Sequence, residues 1–369
     1  MKLTMESRSL LEGLNVVTRA LASKPAQPIL EGVNLVTENG HVTLTCSDGN
    51  FVIRWHGECR TDKDGSAILP GKLLAELVRK LPAGDVHMES DGTSVSIRCQ
   101  KSRSKLSVIA GTEYPDAADV NGYELNVPQA AMKDMINHVS FAIATDESRM
   151  ILTGGLVEIT RDEMRMVALD GFRLAMQKTP GEYAMPDGKE KISAVIPGRA
   201  LNEMSRVLNG TDEDCVLTIG DGRMMCRAGA VEMSGSLLAG EFVDYRRILP
   251  DAFQTEVIAD VTELSEAIDR ASLMAREGKN NLVKLSFTEE CVKISSNAEM
   301  GNVEEEMEVS THGENLNIAF NSNYLRDMLK NLDGDRVVLK FNAPTTPCIA
   351  VPQDNTNCVQ LLLPVRTFA

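Results

Sequence analysis

The chain has 369 residues, of which 43% are hydrophobic and 25% are charged, and its formal net charge is −15. This length has room for two or three domains with cores of their own, and the hydrophobic fraction is ordinary for a globular protein. No apolar run is long enough to cross a bilayer, and the amphipathic start of the chain lacks the pattern of a signal peptide. The negative net charge argues at first against a nucleic-acid partner. A sum over the whole chain hides how the charges are distributed, so the positions of the cations decide whether nucleic acid is a partner.

The first predicted helix has apolar residues at Leu10, Leu14, Val17 and Leu21, which is the spacing of one helix face. The same spacing returns 122 and 254 residues later, at Met132, Ile136, Val139 and Ile143 and at Leu264, Ile268, Ala271 and Ala275. A pattern that recurs at nearly even intervals indicates three copies of one domain, each with an opening amphipathic helix.

A second helical segment also occurs three times, over residues 69–81, 196–208 and 320–332. The first copy has its apolar stripe at Leu73, Leu74, Leu77, Val78 and Leu81. The other two copies match this stripe with one polar exception, Ser205. We therefore predict a helix that buries one face in each copy. A cation recurs nearly opposite the stripe, at Arg79, Arg206 and Lys330.

Alternating polar and apolar residues between and after the helices predict antiparallel strands joined by tight turns. Asp48-Gly49 and Asp170-Gly171 are such turns in the first two copies, and Asn297 takes that place in the third. Each copy therefore runs helix, strands, helix, strands, which is an α+β fold with two helices packed on antiparallel sheet. We predict three domains, at residues 1–124, 125–252 and 253–369.

The predicted helices differ in charge from the rest of the chain. Six helical windows hold 14 of the 38 Lys and Arg and 9 of the 53 Asp and Glu: residues 7–24, 69–81, 129–143, 197–209, 262–279 and 321–332. The other residues hold the remaining 24 and 44. Two interpretations stay open. The helices carry charged solvent faces as amphipathic helices usually do, or they share one cationic surface that faces a polyanion.

The sequence lacks the common patterns of catalysis. It has no phosphate-binding loop, no dinucleotide fingerprint and no nucleophile elbow. The histidines have no metal-ligand spacing, so we predict surface or helix-capping positions for all five, His41, His56, His87, His138 and His312. Eight cysteines without a CxxC pair are typical of reduced thiols in a cytoplasmic protein. We predict no cofactor, no metal site and no enzymatic activity.

Five segments carry a family resemblance through their joint order: KPAQPIL at 24–30, ESRMIL at 147–152, LDGFRLA at 169–175, FVDYRRILP at 242–250 and LPVR at 363–366. With the threefold repeat, the whole chain resembles the bacterial DNA polymerase III beta subunits, the sliding clamps. The resemblance implies a ring of two chains joined head to tail, with three domains of like fold in each chain and helices around a hole for duplex DNA. It implies a processivity factor that tethers the polymerase III catalytic subunit, the clamp loader and other proteins with clamp-binding motifs. The alternative from another class is a triplicated scaffold or enzyme that binds no nucleic acid.

The resemblance also implies a partner cleft between the second and third domains, an apolar groove with arginines at its edge that suits a short peptide with aliphatic anchors. Its residues are Arg149, Leu152, Leu169, Gly171, Phe172, Arg173, Leu174, Val243, Arg247, Ile248, Pro347, Leu361, Leu362, Leu363, Pro364, Val365 and Arg366. Three of them depart from the family pattern and make the groove more apolar: Leu169 where Thr is frequent, Phe172 where His is frequent, and Val243 where Pro is frequent. The apolar tail also predicts a buried edge strand with one face open to a ligand, and the chain continues through Thr367-Phe368-Ala369.

DNA contacts and ring joints follow from the same resemblance. The implied DNA contacts are Lys24, Lys72 and Arg199, with Arg276 and Lys279 nearby, and the cations of the repeated helix, Arg79, Arg206 and Lys330, join them. Such contacts reach phosphates and carry no sequence information. The implied ring joint brings together Lys105, Leu106 and Val108 of one chain with Leu273 and Met274 of the other.

Overall fold

The structure is a computed structural model that describes residues 1–22, 27–110, 114–115 and 119–366. The chain forms two compact units. Unit 1 contains Met1–Lys133 and Asn202–Leu237, and unit 2 contains Asp134–Leu201 and Leu238–Ala369. Lys24 and the extension at residues 367–369 lie outside the described residues. No helix in the described ranges combines the length and the apolar character needed to cross a membrane.

The helices begin and end close to where the apolar spacing predicts them. Within the described ranges they are α1 (Ser7–Val17), α2 (Gly71–Arg79), α3 (Gln129–Ser140), α4 (Gly198–Val207), α5 (Val261–Glu277) and α6 (Ser322–Lys330). Local capping fixes two of the starts: the Glu263 amide donates to Asp260 before α5, and the Asn323 amide donates to Asn321 before α6.

The strands also follow the repeat. The first repeat contains β1 (Lys2–Glu6), β2 (Gly32–Glu38), β3 (His41–Ser47), β4 (Phe51–Glu58), β5 (Arg60–Lys63), β6 (Gly65–Pro70), β7 (Asp85–Ser90), β8 (Ser94–Cys99) and β9 (Ser102–Ser107). The second contains β10 (Tyr123–Pro128), β11 (Gly154–Ile159), β12 (Glu163–Leu169), β13 (Arg173–Pro180), β14 (Ile192–Pro197), β15 (Asp214–Gly220), β16 (Arg223–Ala228) and β17 (Val231–Ser236). The third contains β18 (Thr255–Asp260), β19 (Leu282–Phe287), β20 (Cys291–Ala298), β21 (Gly301–Glu308), β22 (Ser310–Gly313), β23 (Leu316–Asn321), β24 (Arg336–Phe341), β25 (Cys348–Pro352) and β26 (Cys358–Leu362).

Unit 1 contains two antiparallel sheets, in the strand orders β5-β1-β7-β8-β9 and β10-β15-β16-β17-β4-β3-β2-β6. The second of these sheets is shared between repeats, because β17 pairs with β4 and places Val231 opposite Trp55. Helix α1 packs on β3 and β4. Gly13 permits this close approach, since a Cβ at that position would come within 2.6 Å of the Trp55 ring.

Unit 2 contains a nine-stranded antiparallel sheet, β14-β11-β12-β13-β26-β25-β24-β18-β22, and a four-stranded sheet, β21-β20-β19-β23. The large sheet joins the second repeat to the third through β13 and β26. Helix α5 packs on β19, β20 and β21 and against α6. Its predicted apolar positions Leu264, Ile268, Ala271 and Ala275 are all buried in one core with the faces of these strands.

The predicted α+β repeat with two helices on antiparallel sheet is confirmed, and the turns at Gly49 and Gly171 have φ values of +100° and +94° that favour glycine. Three details of the prediction are wrong. Asn297 lies inside β20, opposite Asn302 of β21, and the turn follows it at Glu299 and Met300. Leu73 is 52% exposed, because the buried stripe of α2 is centred on Leu74 and Val78 and leaves Leu73 at its margin. The tail strand β26 is not an edge strand, because it lies between β13 and β25.

Candidate functional site

The tail of the chain runs beside the turn that precedes β13. In the β13–β26 ladder Arg173 lies opposite Leu362 and Leu174 opposite Leu361. Beyond the ladder the Leu363 amide donates to the Phe172 carbonyl at 2.8 Å, and the Val365 amide donates to the Ala319 carbonyl at 2.8 Å. Two segments that are about 190 residues apart in sequence, Phe172–Leu174 and Leu361–Val365, are therefore in contact, as the predicted cleft requires.

Part of the predicted cleft is interior. Five of its leucines are 5% exposed or less and belong to hydrophobic cores of unit 2: Leu152, Leu169, Leu174, Leu361 and Leu362. The apolar surface belongs to Phe172, Val243, Ile248 and Leu363, which are between 37% and 57% exposed. Met150, at 55% exposed, is a further exposed apolar residue of unit 2 and was missed from the sequence, although it lies inside the ESRMIL segment.

Arg149 and Gly171 are in contact at the edge of this surface. The Arg149 guanidinium donates to the Asp170 carbonyl at 3.4 Å. A Cβ on Gly171 would come within 2.6 Å of the same guanidinium, and the φ of +94° at Gly171 is itself strained for other residues. Glycine here lets the turn and the arginine pack together.

Arg173 is largely enclosed. Its Nε donates to Asp170 Oδ2 at 2.9 Å and its Nη1 donates to Asp327 Oδ2 at 2.6 Å, and 13% of the side chain is exposed. The guanidinium also lies over two rings, 5.3 Å from the centroid of Phe141 and 4.7 Å from that of Tyr324. Arg173 thus joins the second repeat to α6 of the third.

Tyr324 extends this cluster to the surface. Phe172 stacks on it with ring centroids 5.7 Å apart and an interplanar angle of 21°. Sequence reasoning placed Tyr324 in the apolar stripe and did not assign it to the cleft. A signal was present, because an aromatic residue with a hydroxyl stands where the other copies have Leu73 and Ala200.

A charged network surrounds the buried carboxylate of Glu158, close in sequence to the predicted cleft residue Arg247. Glu158 on β11 accepts hydrogen bonds from Lys191 Nζ at 2.8 Å, Tyr245 Oη at 2.7 Å and Arg246 Nη2 at 2.6 Å. Burial would raise the pKa of Glu158, but these three donors lower it to about 2. Burial raises the pKa of Tyr245 to about 12, so its hydroxyl stays a donor. The network fixes the 3₁₀ turn that presents Arg247, whose side chain is 86% exposed and pairs with Asp244 at 2.9 Å.

The remaining cleft residues lie in loops. Pro347 is half-buried just before β25, Pro364 and Val365 are half-buried, and Arg366 is exposed. Val365 and Arg366 line an open cavity of about 460 Å³ whose other wall includes Lys284 and Asn317.

The predicted DNA-contact cations lie on helices and are exposed where the structure describes them: Lys72, Arg79, Arg199, Arg206, Arg276 and Lys330. The side chain of Lys279 lies outside the described part of the chain. Glu203 forms ion pairs with two arginines: its carboxylate is 2.6 Å from Arg206 and 3.5 Å from Arg19. Arg79 donates to the Asn15 side chain at 3.0 Å and so joins α2 to α1.

The predicted ring-joint residues lie at sheet edges and on α5. Lys105 is exposed and pairs with Asp91 at 3.2 Å, while Leu106 and Val108 are half-buried. Leu273 is 57% exposed and Met274 is half-buried. Met300, in the turn between β20 and β21, is 81% exposed and was missed from the sequence.

The prediction of surface positions holds for His41, His56, His87 and His312, which are exposed, but it is wrong for His138. His138 is 7% exposed and lies between Asp134 and Asp333. Asp134 is one helical turn before it on α3, whereas Asp333 follows α6, so tertiary packing and not sequence spacing makes this cluster.

Sequence profiles of the DNA polymerase III beta subunit match three consecutive segments: its N-terminal domain matches residues 1–118, its central domain 126–244 and its C-terminal domain 246–366. The chain belongs to this DNA polymerase III beta-subunit family. Beta sliding clamps of Bacillus subtilis and Staphylococcus epidermidis are 34% and 32% identical to it, and both alignments cover 100% of each chain. The family inferred from the sequence is confirmed.

Solved structures agree with the family assignment over the whole chain. The crystal structure of the DNA polymerase sliding clamp from Bacillus subtilis has a TM-score of 0.94 at 32% identity, with 100% of both chains covered. That of the DNA polymerase III subunit beta from Pseudomonas aeruginosa has a TM-score of 0.94 at 25% identity, again over 100% of both chains. Strand β13 belongs to the central domain of the family and β26 to its C-terminal domain. The seam formed by these two paired strands therefore joins the two domains.

Proposed function

We propose that two copies of this chain join head to tail into a closed ring around duplex DNA. The ring tethers the polymerase III catalytic subunit, and other proteins with clamp-binding motifs, through the cleft at the β13–β26 seam. In this function the chain is a processivity factor of the cytoplasm and not an enzyme. It needs no cofactor, because it holds a polymerase on its template by topology.

The observation that carries the proposal is the repeated joint between domains. The last strand of the central domain, β17, pairs with β4, the third strand after the first helix of the N-terminal domain. The last strand of the C-terminal domain, β26, pairs with the equivalent strand of the central domain, β13. By the same scheme β9, the last strand of the N-terminal domain, would pair with β21, the third strand after the first helix of the C-terminal domain. Within the described ranges β9 pairs only with β8 and β21 only with β20, so a second chain can supply both missing joints.

The two open edges are chemically complementary. Strand β9 presents exposed Arg103 and Lys105, whereas β21 presents exposed Glu304, Glu306 and Glu308. Apolar surface lies beside both edges, with Leu106 on β9 and with Leu273 and Met300 next to β21. Exposed edges usually carry charges that prevent pairing, but opposite charges on two different edges favour one specific pairing.

The charge distribution suits a ring that slides. Exposed helix cations such as Lys72, Arg199 and Lys330 can contact phosphates, while the chain as a whole has a net charge of −15 and repels DNA elsewhere. Contacts to phosphates carry no sequence information, and weak attraction of this kind lets the ring move along the duplex.

Retention on circular DNA tests this proposal. The protein is assembled on nicked circular DNA by an ATP-driven clamp loader and washed with high salt. A closed ring should stay on the circle, because leaving requires an opened ring or a DNA end, and it should dissociate when the circle is cut. Retention that falls with salt as steeply as binding to linear duplex would mean purely electrostatic binding and would contradict the proposal. No retention at all would favour a scaffold that does not use DNA.

A further inference from the structure

His138 has an oxygen partner at each of its two ring nitrogens. Its Nδ1 is 2.9 Å from the Asp134 carbonyl and 3.2 Å from Asp134 Oδ1, and its Nε2 is 3.0 Å from Asp333 Oδ2. A neutral imidazole donates from one nitrogen only, and a carboxylate only accepts. The Nδ1 hydrogen bond requires a proton on that nitrogen, and a carboxylate 3.0 Å from Nε2 favours a proton there as well, so the two contacts together favour the positively charged ring.

We propose that His138 is an imidazolium at neutral pH that braces α6 of the C-terminal domain against α3 of the central domain and thereby holds the cleft in its binding shape. Asp134 and His138 lie on α3, whereas Asp333 lies three residues beyond the end of α6. The effect on the cleft rests on the peptide-binding function proposed above, but the brace itself does not.

The brace and the cleft share both helices. Helix α6 carries Tyr324, which stacks on Phe172, and Asp327, which pairs with Arg173. Phe141, directly after α3, lies under the Arg173 guanidinium. A movement of α6 relative to α3 would therefore separate aromatic contacts at the cleft surface. His138 and Arg173 are two cations of the central domain that hold one helix of the C-terminal domain.

The surroundings of the ring favour its charge. The hydrogen bond with the Asp134 carboxylate raises the pKa of His138 to about 9, although burial of the ring opposes this. From β13, Gln177 Nε2 is 3.5 Å from Asp134 Oδ2. From β26, the Cys358 thiol lies near both carboxylates, and burial raises its pKa to about 11, so it stays neutral at ordinary pH. The charged groups that face His138 are thus the carboxylates of Asp134 and Asp333.

The same geometry disfavours a metal ion. One oxygen or nitrogen from each of Asp134, His138 and Asp333 lies within 4.8 Å of the others, as in some metal sites. The two carboxylates face opposite ring nitrogens, however, and an imidazole binds a metal through only one of them. A cation at Nε2 would leave Asp134 as a hydrogen-bond partner and would have only two protein ligands.

The stabilisation by the brace has a defined pH range. Because folding raises the pKa of His138 from an ordinary value of about 6.5 to about 9, the stabilisation is complete below about 6.5. It declines as the pH rises through 9. Across the neutral range the ring remains charged, so the brace is closed under ordinary conditions and opens only at alkaline pH.

NMR of the full chain labelled with ¹³C at histidine Cε1 tests the charge directly, with the His138 signal assigned by its loss in His138→Gln. We expect a midpoint near 9 that falls in Asp333→Asn. A His138 ring that is neutral at pH 7.5 would overturn the proposal. So would a His138 signal that shifts on addition of Zn²⁺ and returns on chelation at neutral pH, since the site would then be a metal site.

Peptide titration tests the effect on the cleft, with a short leucine-containing peptide and a control peptide in which the anchors are alanine. At pH 8, His138→Gln should bind roughly fivefold more weakly than the wild type, and the exposed-site control His312→Gln should bind equally well. The difference should shrink between pH 8 and pH 10. Equal affinity of His138→Gln and the wild type would overturn the coupling to the cleft. Failure of both to bind, with the NMR midpoint near 9, would instead contradict the proposed peptide cleft and leave the brace supported.

Discussion

Arg173 and Asp327 form a 2.6 Å ion pair that joins the central domain to α6 of the C-terminal domain. The guanidinium also contacts Asp170 and two aromatic rings. Because these groups surround it, we do not expect Arg173 to bind a peptide directly. It links the turn before β13 to α6. Among the predicted cleft residues, the exposed arginines are Arg149, Arg247 and Arg366.

Replacing Arg173 by methionine should therefore weaken both the fold and peptide binding. We expect a loss of about 2 kcal/mol in the free energy of unfolding, because Asp170 and Asp327 lose charged donors. Arg173→Lys should recover little of it, since an ammonium cannot reproduce the planar fork. Arg247→Met is the matched control and should cost less than about 0.5 kcal/mol, because its ion pair is exposed. Urea unfolding checks these values. An equal loss in both methionine variants would contradict the role of Arg173.

Periodicity was enough to predict the repeat from the sequence. Helix faces such as Leu264 and Ile268 are buried where their spacing placed them, because an apolar stripe on a helix has few alternatives. The order of motifs also brought Phe172 and Leu363 into one site, and these residues are in contact through the backbone.

The sequence alone could not predict exposures and contacts that depend on long-range packing. Leu73 has an apolar side chain at a helical position, yet its exposure depends on which neighbours cover it. His138 and Asp333 are 195 residues apart in sequence, so no local spacing pattern predicts their contact. The same holds for Tyr324 over Arg173, which depends on how α6 packs on the turn before β13.

Glu158 should give the protein a component of acid sensitivity. Its pKa is lowered to about 2 in the folded state, so its stabilisation is present above the ordinary glutamate value and is lost as the pH falls towards 2. The difference in Tm between the wild type and Glu158→Gln should be largest near neutral pH and should shrink below about pH 4.5.

Tyr245→Phe isolates one hydrogen bond of the same network. Removing the hydroxyl leaves Glu158 and Arg165 each without one partner, and we expect a loss of about 1 to 3 kcal/mol. Calorimetry from pH 3 to 8 checks both variants. A Tm difference for Glu158→Gln that stays constant with pH would show that the carboxylate is not stabilised in the folded state.

The ring joint can be tested by removing its apolar residues. Replacing Leu273 and Met274 by alanine should cost about 2 to 4 kcal/mol of association, because buried apolar anchors dominate such interfaces. Sedimentation should then give monomers at concentrations where the wild type is a dimer. Met150→Ala, another exposed apolar residue of unit 2, should leave the dimer intact. Unchanged dimers in the Leu273 and Met274 variant would place the joint elsewhere.

The charges of the two edges allow a complementation test of the same joint. Reversal of Arg103 and Lys105 to Glu should weaken self-association, and so should reversal of Glu304 and Glu306 to Lys. A mixture of the two proteins should restore both joints of a mixed ring, because the acidic β9 of one variant meets the basic β21 of the other while the second joint pairs the two native edges. If the mixture sediments no faster than the separate variants, the edges do not pair in this way.

Deleting residues 363–369 should abolish most peptide binding without disturbing the seam. The deletion keeps Leu361 and Leu362 in the β13–β26 ladder, where they pair with Leu174 and Arg173. It removes the exposed side chain of Leu363 and the backbone hydrogen bond that holds it to Phe172. Peptide affinity should fall at least tenfold, whereas sedimentation and retention on circular DNA should be unchanged because the ring joint is at other strands. Leu363→Ala separates the side chain from the backbone and should lose about 1 to 2 kcal/mol of binding. Full peptide affinity after the deletion would place the partner site away from the seam.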